Sequence, residues 1–377
     1  MIRLEPSAPE TALAAIRAPF LERAASPIDI PVLQPLDLML DLSGEAMRPR
    51  LFVVEADGID EACLRPDFTI GVALAHLEAG GGPGRYLYEG KAFRVAPKGS
   101  DRAEEFLQIG VECYGEADRV GADAAMAGLA WRAAAAGGRT DLSVRMGDIA
   151  LFEVFLNALG LAPALVLSLV RAFRRPRAFR AELERAQAPA PADAKGGRLA
   201  SLLAGLPEDE AAEALSELWT LAGVQPVGGR APAEIVHRLA ERGRAAEAPP
   251  LAASDAGRIA DFLAVSARPG AVLKTIAGLA KGPAMQAALD GWSDRAVRLC
   301  AEGIPEDRLT LSPAFGRAFG YYDGALFEVL SAALDAERPV AAGGRYDALL
   351  TALGATSPTG AVGCMVRPWR AFSGGER

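Results

Sequence analysis

Residues 86–114, YLYEGKAFRVAPKGSDRAEEFLQIGVECY, decide the fold that this chain adopts. Two runs of strand-forming residues flank a polar loop of about ten residues, which predicts a β-hairpin. In the second strand Gln108, Gly110 and Glu112 alternate with apolar residues, so one face is apolar and the other carries a carboxamide, a bare glycine and a carboxylate. Gln108 and Glu112 lie about 13 Å apart along this face, at ~3.3 Å per residue. The polar face is either the floor of a binding site or the solvent face of an ordinary hairpin, and the alternation alone leaves both interpretations open.

The composition limits the class of protein. With 377 residues and a mass of 39.3 kDa, the chain is long enough for two domains or for one large domain with an insertion. It has 40 Lys and Arg against 48 Asp and Glu, and its pI near 5.1 argues against a protein that mainly neutralises nucleic-acid phosphate. We therefore expect no nucleic-acid partner.

The cysteines, histidines and apolar segments argue against further classes. The four cysteines and two histidines lack the spacing of a zinc site. The N terminus has no basic segment followed by an apolar run, and the longest apolar stretch, 159–170, contains Pro163 and is too short to span a bilayer. We expect reduced, buried thiols, no metal or cofactor, no membrane contact and a cytoplasmic location.

Apolar periodicity places the other elements of the main fold. Strands are predicted at 28–33, 51–57, 142–146, 309–311 and 320–330, and helices at 9–25, 70–79, 121–136, 151–161, 255–267 and 284–302. Pro31 suits a sheet edge or a subunit contact better than a central strand. The run AAGGRYDALL, 341–350, predicts a glycine turn that leads into a helix.

The composition shifts at about residue 171. An arginine cluster at 171–180 is either an RNA contact or, more commonly, a solvated helix face. The Pro/Ala segments 186–198 and 245–254 predict flexible linkers, and helices are expected at 207–223 and 232–242 between them. We predict a core formed by 1–170 and 271–377, with a mainly helical insertion at 171–270.

A second pair of polar residues stands in the stretch CLRPDFT, 63–69. Asp67 and Thr69 are expected to share a strand face, where they would present an acceptor and a hydroxyl to a cationic group. Taken alone, a surface strand end explains the pair more simply.

Five stretches, in this order, resemble the catalytic core of class II aminoacyl-tRNA synthetases, and among them histidyl-tRNA synthetase. The strand at 28–33 resembles the dimer-forming first motif, and FRVAPKGSDRAEEFLQIGVECYG, 93–115, resembles the second motif, which holds the aminoacyl adenylate. The segments 317–328 and 341–347 are similar to two histidine-specific segments, and 359–370 is similar to the third motif. The resemblance implies an α+β fold with an antiparallel sheet flanked by helices, a helical insertion and no anticodon-binding domain.

The resemblance also implies an amino-acid pocket. Its residues are Asp67, Thr69, Gln108, Glu112, Arg317, Tyr321 and Tyr322. A histidine ligand needs acceptors for its ammonium group, for which Asp67, Thr69 and Gln108 serve. It also needs a carboxylate and a phenol for its two imidazole nitrogens, for which Glu112 and Tyr322 serve.

Arg317 would supply positive charge near the carboxylate of that ligand. On a straight strand Arg317 and Tyr322 point to opposite faces, so their convergence requires a bend, which we expect at Gly320.

The nucleotide half departs from the family pattern. Arg94 matches the arginine that binds the α-phosphate, whereas Ala96 stands at a glutamate position and Glu104 at an arginine position, where it would repel polyphosphate. Arg367 replaces the glycine beneath the adenine, and Arg370 follows three residues later, as in the family. Since a guanidinium side chain cannot share a glycine's space with adenine, we expect a degenerate ATP site.

This combination resembles the synthetase-like regulatory subunits of ATP phosphoribosyltransferase. The resemblance implies a non-catalytic subunit, without catalytic residues of its own, that forms homodimers and joins a short-form catalytic subunit in a hetero-octamer. It further implies L-histidine as the feedback effector of the first step of histidine biosynthesis. The alternative is a truncated histidyl-tRNA synthetase-like enzyme that still activates histidine, which the retained Arg94 and Arg317 favour. A third possibility is a histidine sensor attached to a different partner.

Overall fold

The computed structural model describes residues 2–22, 25–55, 60–173, 175–188, 206–222, 236, 250–316 and 319–375. The chain divides into two compact units, Met1–Val154 with Phe262–Arg377, and Phe155–Asp261. The first unit contains the β-sheets, and the described part of the second is helical. The division of the chain at 171 and 270 stays a prediction.

An eight-stranded sheet is the centre of the first unit, with the strand order β1-β5-β6-β11-β10-β9-β7-β8. Its strands are β1 Ser26–Pro27, β5 Gly84–Phe93, β6 Glu105–Tyr114, β7 Leu142–Asp148, β8 Leu309–Leu311, β9 Ala325–Ser331, β10 Ala341–Arg345 and β11 Ala361–Val366. The six inner strands are antiparallel, as predicted, while β1 pairs with β5 and β8 pairs with β7 in parallel. A smaller sheet has the order β2-β4-β3, formed by Leu33–Pro35, Ala62–Leu64 and Val53–Val54.

Helices flank this sheet within the first unit, and further helices make up the described part of the second unit. They are α1 Glu10–Leu21, α2 Leu36–Ser43, α3 Thr69–Glu78, α4 Arg119–Ala136, α5 Ile149–Ala158, α6 Pro163–Ala172, α7 Pro176–Gln187, α8 Glu208–Ala222, α9 Ala253–Ala264, α10 Pro269–Leu279, α11 Pro283–Ala301, α12 Asp347–Ala352 and α13 Pro368–Ala371. Within the described ranges, no helix has both the length and the apolar character that crossing a bilayer requires.

The predicted hairpin is confirmed as β5 and β6. The two strands pair along their full length, from Gly84 opposite Tyr114 to Phe93 opposite Glu105. The predicted helices near 70–79 and 121–136 are confirmed as α3 and α4. Helix α4 packs on β10 and β11, and its buried alanines let the helix backbone approach the sheet closely.

The strand predicted at 28–33 is wrong. β1 covers only Ser26–Pro27, and the Ile28 amide makes one further bond to the Leu87 carbonyl at 2.9 Å before the chain leaves the sheet. Pro27 and Pro31 have no N–H to donate to a ladder, which explains the short edge strand.

Two glycine-containing segments also differ from expectation. Residues 341–345 form the inner strand β10 rather than a turn. A Cβ atom on Gly343 would lie 2.2 Å from the Gly363 carbonyl oxygen, so the glycine permits close packing between strands instead of a reversal. The strand predicted at 320–330 begins only at Ala325, because residues 320–324 form turns and an irregular link.

The four cysteines are free, and three of them are buried as expected, but Cys300 is exposed. The predicted linkers at 186–198 and 245–254 and the helix at 232–242 lie largely outside the described residues.

Candidate functional site

The polar face of β6 is buried within the fold rather than exposed. Gln108 has no solvent exposure, and Glu112 is 2% exposed. Among the described residues, neither the nitrogen nor the oxygen of the Gln108 carboxamide has a hydrogen-bond partner. A buried amide without partners costs roughly 1–3 kcal/mol, so a side chain of this kind indicates a place for a polar ligand.

The space beside Gly110 is filled from the neighbouring strand. Tyr88 on β5 lies directly opposite Gly110, and a Cβ atom on Gly110 would meet the Tyr88 hydroxyl oxygen at 2.3 Å. The same hydroxyl lies 3.5 Å from Oε1 of Glu112. Tyr88 was not predicted as a pocket residue, although its position two strand residues from Tyr86 on the same face was a usable signal.

Glu112 is the most heavily contacted acid of this cluster. The Thr69 hydroxyl donates to its Oε1 at 2.8 Å, and the Tyr346 hydroxyl donates to its Oε2. Burial, with the nearby negative charge of Asp67, raises the pKa of Glu112 to about 8 despite these hydrogen bonds. Near neutral pH the carboxyl can therefore either donate or accept a hydrogen bond.

Asp67 and Thr69 reach this cluster from outside the sheet. The expectation that they share a strand face is wrong, because β4 ends at Leu64 and Thr69 is the first residue of α3. Pro66 stands between these elements and has no N–H to continue the ladder. The Asp67 side chain nevertheless accepts a hydrogen bond from the Tyr321 hydroxyl, at 2.8 Å from its Oδ2.

Three tyrosine rings form one side of the cluster. The rings of Tyr321 and Tyr322 lie 4.7 Å apart between centroids, and that of Tyr346 lies 5.8 Å from Tyr321 and 6.3 Å from Tyr322. Tyr346 lies within the segment 341–347, which the sequence analysis singled out without assigning this tyrosine to the pocket.

Contacts thus bring five of the seven predicted pocket residues into one buried group, which we call the amino-acid cluster: Asp67, Thr69, Glu112, Tyr321 and Tyr322. Gln108 lies on the same strand face as Glu112. Arg317 lies outside the described residues. The cluster offers carboxylate acceptors for an ammonium group, with the Gln108 amide on the same strand face, and a carboxyl and phenols for a ring with two nitrogens. The binding role of each residue stays a prediction.

A second site, which we call the arginine cleft, has a volume of about 470 Å³. It is lined by Arg50, Arg94, Ala96, Arg102, Ala103, Phe106, Arg145, Phe315, Gly316, Phe319, Glu328, Ala336, Glu337, Pro339, Arg367 and Arg370. These include Arg94, Ala96, Arg367 and Arg370, four of the five residues predicted for a degenerate nucleotide site.

Arg367 lies across an aromatic ring of this cleft. Its guanidinium carbon is 3.7 Å from the centroid of Phe106, and its Nη2 forms an ion pair with Glu5. Arg370 lies 3.9 Å from the same Glu5 carboxylate and donates to the Pro339 carbonyl at 3.1 Å. Burial, together with the like charge of Arg370, lowers the pKa of Arg367 to about 9, so its side chain remains charged at neutral pH.

Glu104 has a structural role in this region. Its carboxylate accepts hydrogen bonds from the backbone amides of Ala96 and Arg3, both at 3.2 Å, which lower its pKa. It also pairs with the Arg3 guanidinium at 3.5 Å. Glu104 therefore ties the hairpin loop to the N-terminal segment, while its effect on a nucleotide stays a prediction.

The fold and the buried amino-acid cluster define a protein of the histidyl-tRNA synthetase class. The family model described as histidyl-tRNA synthetase matches residues 26–240 and 231–367. The crystal structure of an ATP phosphoribosyltransferase regulatory subunit/histidyl-tRNA synthetase from Bacillus halodurans superposes with a TM-score of 0.65, covering 98% of this chain and 81% of that chain. At 18% sequence identity, this likeness concerns the fold alone.

Curated relatives identify the family within this class to which the chain belongs. The ATP phosphoribosyltransferase regulatory subunit of Chelativorans sp. is 37% identical over 349 residues, which cover 91% of this chain and 92% of that protein. The regulatory subunit of Agrobacterium fabrum is 37% identical over 350 residues, which cover 91% of each chain. This chain belongs to the family of ATP phosphoribosyltransferase regulatory subunits.

Proposed function

We propose that this chain is the histidine-sensing regulatory subunit of an ATP phosphoribosyltransferase. It would be required for the activity of a short-form catalytic subunit and for feedback inhibition by L-histidine in the first step of histidine biosynthesis. The observation that carries this proposal is the buried Gln108 amide, without a partner among the described residues, on the same strand face as Glu112.

The chemistry of L-histidine suits this cluster. Asp67, Thr69 and Gln108 would accept the ammonium group, while Glu112 and Tyr322 would contact the imidazole nitrogens. The ammonium charge would also offset the repulsion between the Asp67 and Glu112 carboxylates, which contributes to the raised pKa of Glu112. Arg317 would pair with the ligand carboxylate.

Regulation requires more than binding. Histidine can inhibit the complex only if it binds one arrangement of the assembly more tightly than the other, with a typical coupling free energy of ~1–3 kcal/mol. We place this coupling in a hetero-octamer of regulatory homodimers and catalytic subunits, with the edge around β1 and Pro31 as the homodimer contact.

The catalytic step is assigned to the partner subunit. Arg367 on the Phe106 ring, held by Glu5, supports the loss of a purine site in this chain. A truncated synthetase would instead catalyse histidine-dependent exchange between ATP and pyrophosphate. Absence of exchange above a no-histidine control is the expected result, and a clear histidine-dependent rate would favour the synthetase alternative.

The central experiment combines this chain with a short-form catalytic subunit and measures phosphoribosyl transfer with and without L-histidine. We expect the chain to raise the activity and histidine to suppress the increase. A matched assembly carrying Glu112→Gln should keep the activation and lose sensitivity to histidine. Activation absent in both assemblies, or inhibition unchanged by Glu112→Gln, would count against the proposal.

A further inference from the structure

Arg65, in the loop between β4 and α3, is a buried arginine that belongs to neither the amino-acid cluster nor the arginine cleft. It is 5% exposed. Its Nη1 donates to the Ile30 carbonyl at 2.6 Å, and its Nε donates to the Lys91 carbonyl at 2.8 Å. The side chain therefore joins two segments of backbone, one beside the edge of the sheet and one in β5.

The same guanidinium group lies over an aromatic ring at the start of α3. Its central carbon is 4.2 Å from the centroid of Phe68, the residue that directly precedes Thr69. The Phe68 ring stacks in turn on Tyr88 of β5, with centroids 4.3 Å apart and ring planes inclined by 6°. Arg65, Phe68 and Tyr88 thus form one packed unit, which we call the Arg65 stack.

A glycine on β5 leaves the room that the Arg65 stack occupies. A Cβ atom on Gly90 would lie 2.7 Å from Nη2 of Arg65 and 2.9 Å from Cζ of Phe68, so a side chain at this position would displace the stack. Gly90 lies directly opposite Gln108 in the pairing of β5 with β6. Because opposite residues of an antiparallel pair share a face, the stack occupies the sheet face that carries Gln108.

The three residues proposed to accept the ammonium group of L-histidine surround this stack. Asp67 and Thr69 flank Phe68 along the chain, and Gln108 lies across from Gly90. Displacement of the Phe68 ring therefore moves Asp67 and Thr69 directly and changes the packing beside Gln108.

The imidazole end of the proposed pocket is held independently of Arg65. Glu112 lies on β6, which pairs with β5 on one side and with β11 on the other. The Tyr346 hydroxyl donates to Glu112 from the start of α12. A change confined to Arg65 thus reaches the acceptors of the ammonium group first, whereas a general defect of folding reaches both ends.

We propose that Arg65 is a positioning residue for the histidine pocket. It holds the loop 65–69 in place through Phe68 and thereby sets the positions of the three ammonium acceptors, without touching the ligand. This role rests on the proposed function, because the acceptors matter only if the pocket takes an amino acid. Since Ile30 lies next to Pro31, Arg65 also connects the pocket to the edge proposed for the homodimer contact.

The positioning depends on the shape of the guanidinium group and its two carbonyl contacts rather than on its charge. Arg65 lies 3.8 Å from the Asp29 carboxylate, but the Asp29 side chain is 95% exposed, so water screens this pair. Loss of the Asp29 charge leaves the loop in place. Loss of the planar fork, which bonds two carbonyls at once, releases it.

The test compares two ligands of the full chain by calorimetry and ligand-observed NMR. They are L-histidine and imidazolepropionate, which has the same ring and carboxylate but no ammonium group. We expect Arg65→Met to weaken L-histidine binding by about tenfold or more and imidazolepropionate binding by less than about threefold, because only L-histidine uses the displaced acceptors. Arg65→Lys keeps the charge and can bond one carbonyl, so it should change the same ratio less. Asp29→Asn should change neither affinity.

Arg139→Met is the matched control for the loss of a buried arginine. Arg139 is 7% exposed and donates to the Arg370 carbonyl and, at 3.1 Å, to the Ser331 hydroxyl. These contacts lie beside α13 and at the end of β9. Arg139→Met should lower thermal stability, as Arg65→Met does, and leave the ratio of the two affinities unchanged. If Arg65→Met does not fold, Arg65→Lys carries the same comparison.

Equal weakening of both ligands by the Arg65 variants would show a merely structural role and overturn the proposal. Unchanged L-histidine affinity in these variants, or an equal loss in Asp29→Asn, would also overturn it. These outcomes leave the proposed function intact, because the unaltered chain still binds histidine. Absence of histidine binding by the unaltered chain would overturn the proposed function and the role of Arg65 together.

Discussion

The amino-acid cluster and the arginine cleft use the same strand, β6, in opposite ways. Around Glu112, buried acids and hydroxyls form one cluster, and on the same strand face the Gln108 amide has no partner among the described residues. Around Phe106, about 20 Å away at ~3.3 Å per residue, Arg367 covers the ring and pairs with the chain's own Glu5. We therefore predict that a binding surface is lost where the chain supplies its own counter-ion and retained where a polar group is left for a ligand.

The largest expected effect comes from the acid at the centre of the first region. Glu112→Gln removes the carboxyl that can ionise opposite a protonated imidazole, which costs about 2–5 kcal/mol and weakens L-histidine binding at least thirtyfold. Calorimetry measures the affinity. Glu105→Gln on the same strand is the control, because its side chain pairs with Lys91 and should leave the affinity unchanged.

Unchanged affinity in Glu112→Gln would contradict the contrast between the two regions, because the buried acid would then play no part in ligand binding.

Removing one hydroxyl group that donates to Glu112 should have a smaller effect on histidine affinity. Tyr346→Phe deletes a donor to Glu112. This hydrogen bond should strengthen by up to about 1.5 kcal/mol when the carboxyl ionises beside the ligand, so histidine affinity should fall by up to roughly tenfold. Tyr86→Phe is the matched variant, because its hydroxyl lies 3.0 Å from Nδ1 of His76 instead. Equal affinities in the two variants would remove Tyr346 from the pocket.

The raised pKa of Glu112 predicts a pH dependence of stability. The folded protein holds this proton up to about pH 8, whereas the unfolded chain releases it near the ordinary glutamate pKa of 4.5. The free energy of unfolding should therefore fall as pH rises between these values, by at most ~1.4 kcal/mol per pH unit for one proton. Denaturant unfolding at pH 5.5 and 7.5 measures the slope, and Glu112→Gln should flatten it; an identical slope in both proteins would contradict the assignment.

Gln108 tests whether its amide serves a ligand or the fold. Gln108→Leu removes a buried amide without partners, so the free energy of unfolding should rise by about 1 kcal/mol while histidine affinity falls. Gln34→Leu is the contrasting variant, because the Gln34 amide donates to the Pro31 carbonyl at 2.7 Å and its loss should lower stability. Destabilisation by both changes would mean that Gln108 supports the fold.

The smallest effect is expected in the second region. Ala96→Glu restores the family's acid beside the cleft but leaves Arg367 on the Phe106 ring, so ATP affinity should change by less than about threefold, below ~0.7 kcal/mol. Titration with ATP checks this. A large gain would show that Ala96, and not Arg367, limits nucleotide binding.

Much of the fold was predictable because it depends on local periodicity. The alternation at 105–114 and the polar loop before it predicted the β5–β6 hairpin, and the helical patterns predicted α3 and α4. Glycine and proline caused the errors. The glycines of 341–345 serve close strand packing in β10 instead of a turn, and Pro31 accompanies a chain that leaves the sheet.

The site was predictable only in part. Asp67, Thr69 and Glu112 were singled out, but Tyr88 and Tyr346, which both reach Glu112, were missed. The spacing of Tyr86 and Tyr88 was a usable signal, but only the pairing of β5 with β6 brings Tyr88 near Glu112. Tyr346 follows β10 at the start of α12 and stands in no pattern of its own.

By itself, the sequence determined the alternation of β6, the family resemblance and the presence of arginine at position 367, because each depends on residue type and order. Only the tertiary structure decided that Thr69, Tyr88 and Tyr346 converge on one carboxyl and that Glu5 meets Arg367. These partners are far apart in the chain, so their contacts arise from strand pairing and packing. Burial then sets the electrostatics, because a carboxyl removed from water holds its proton to a higher pH.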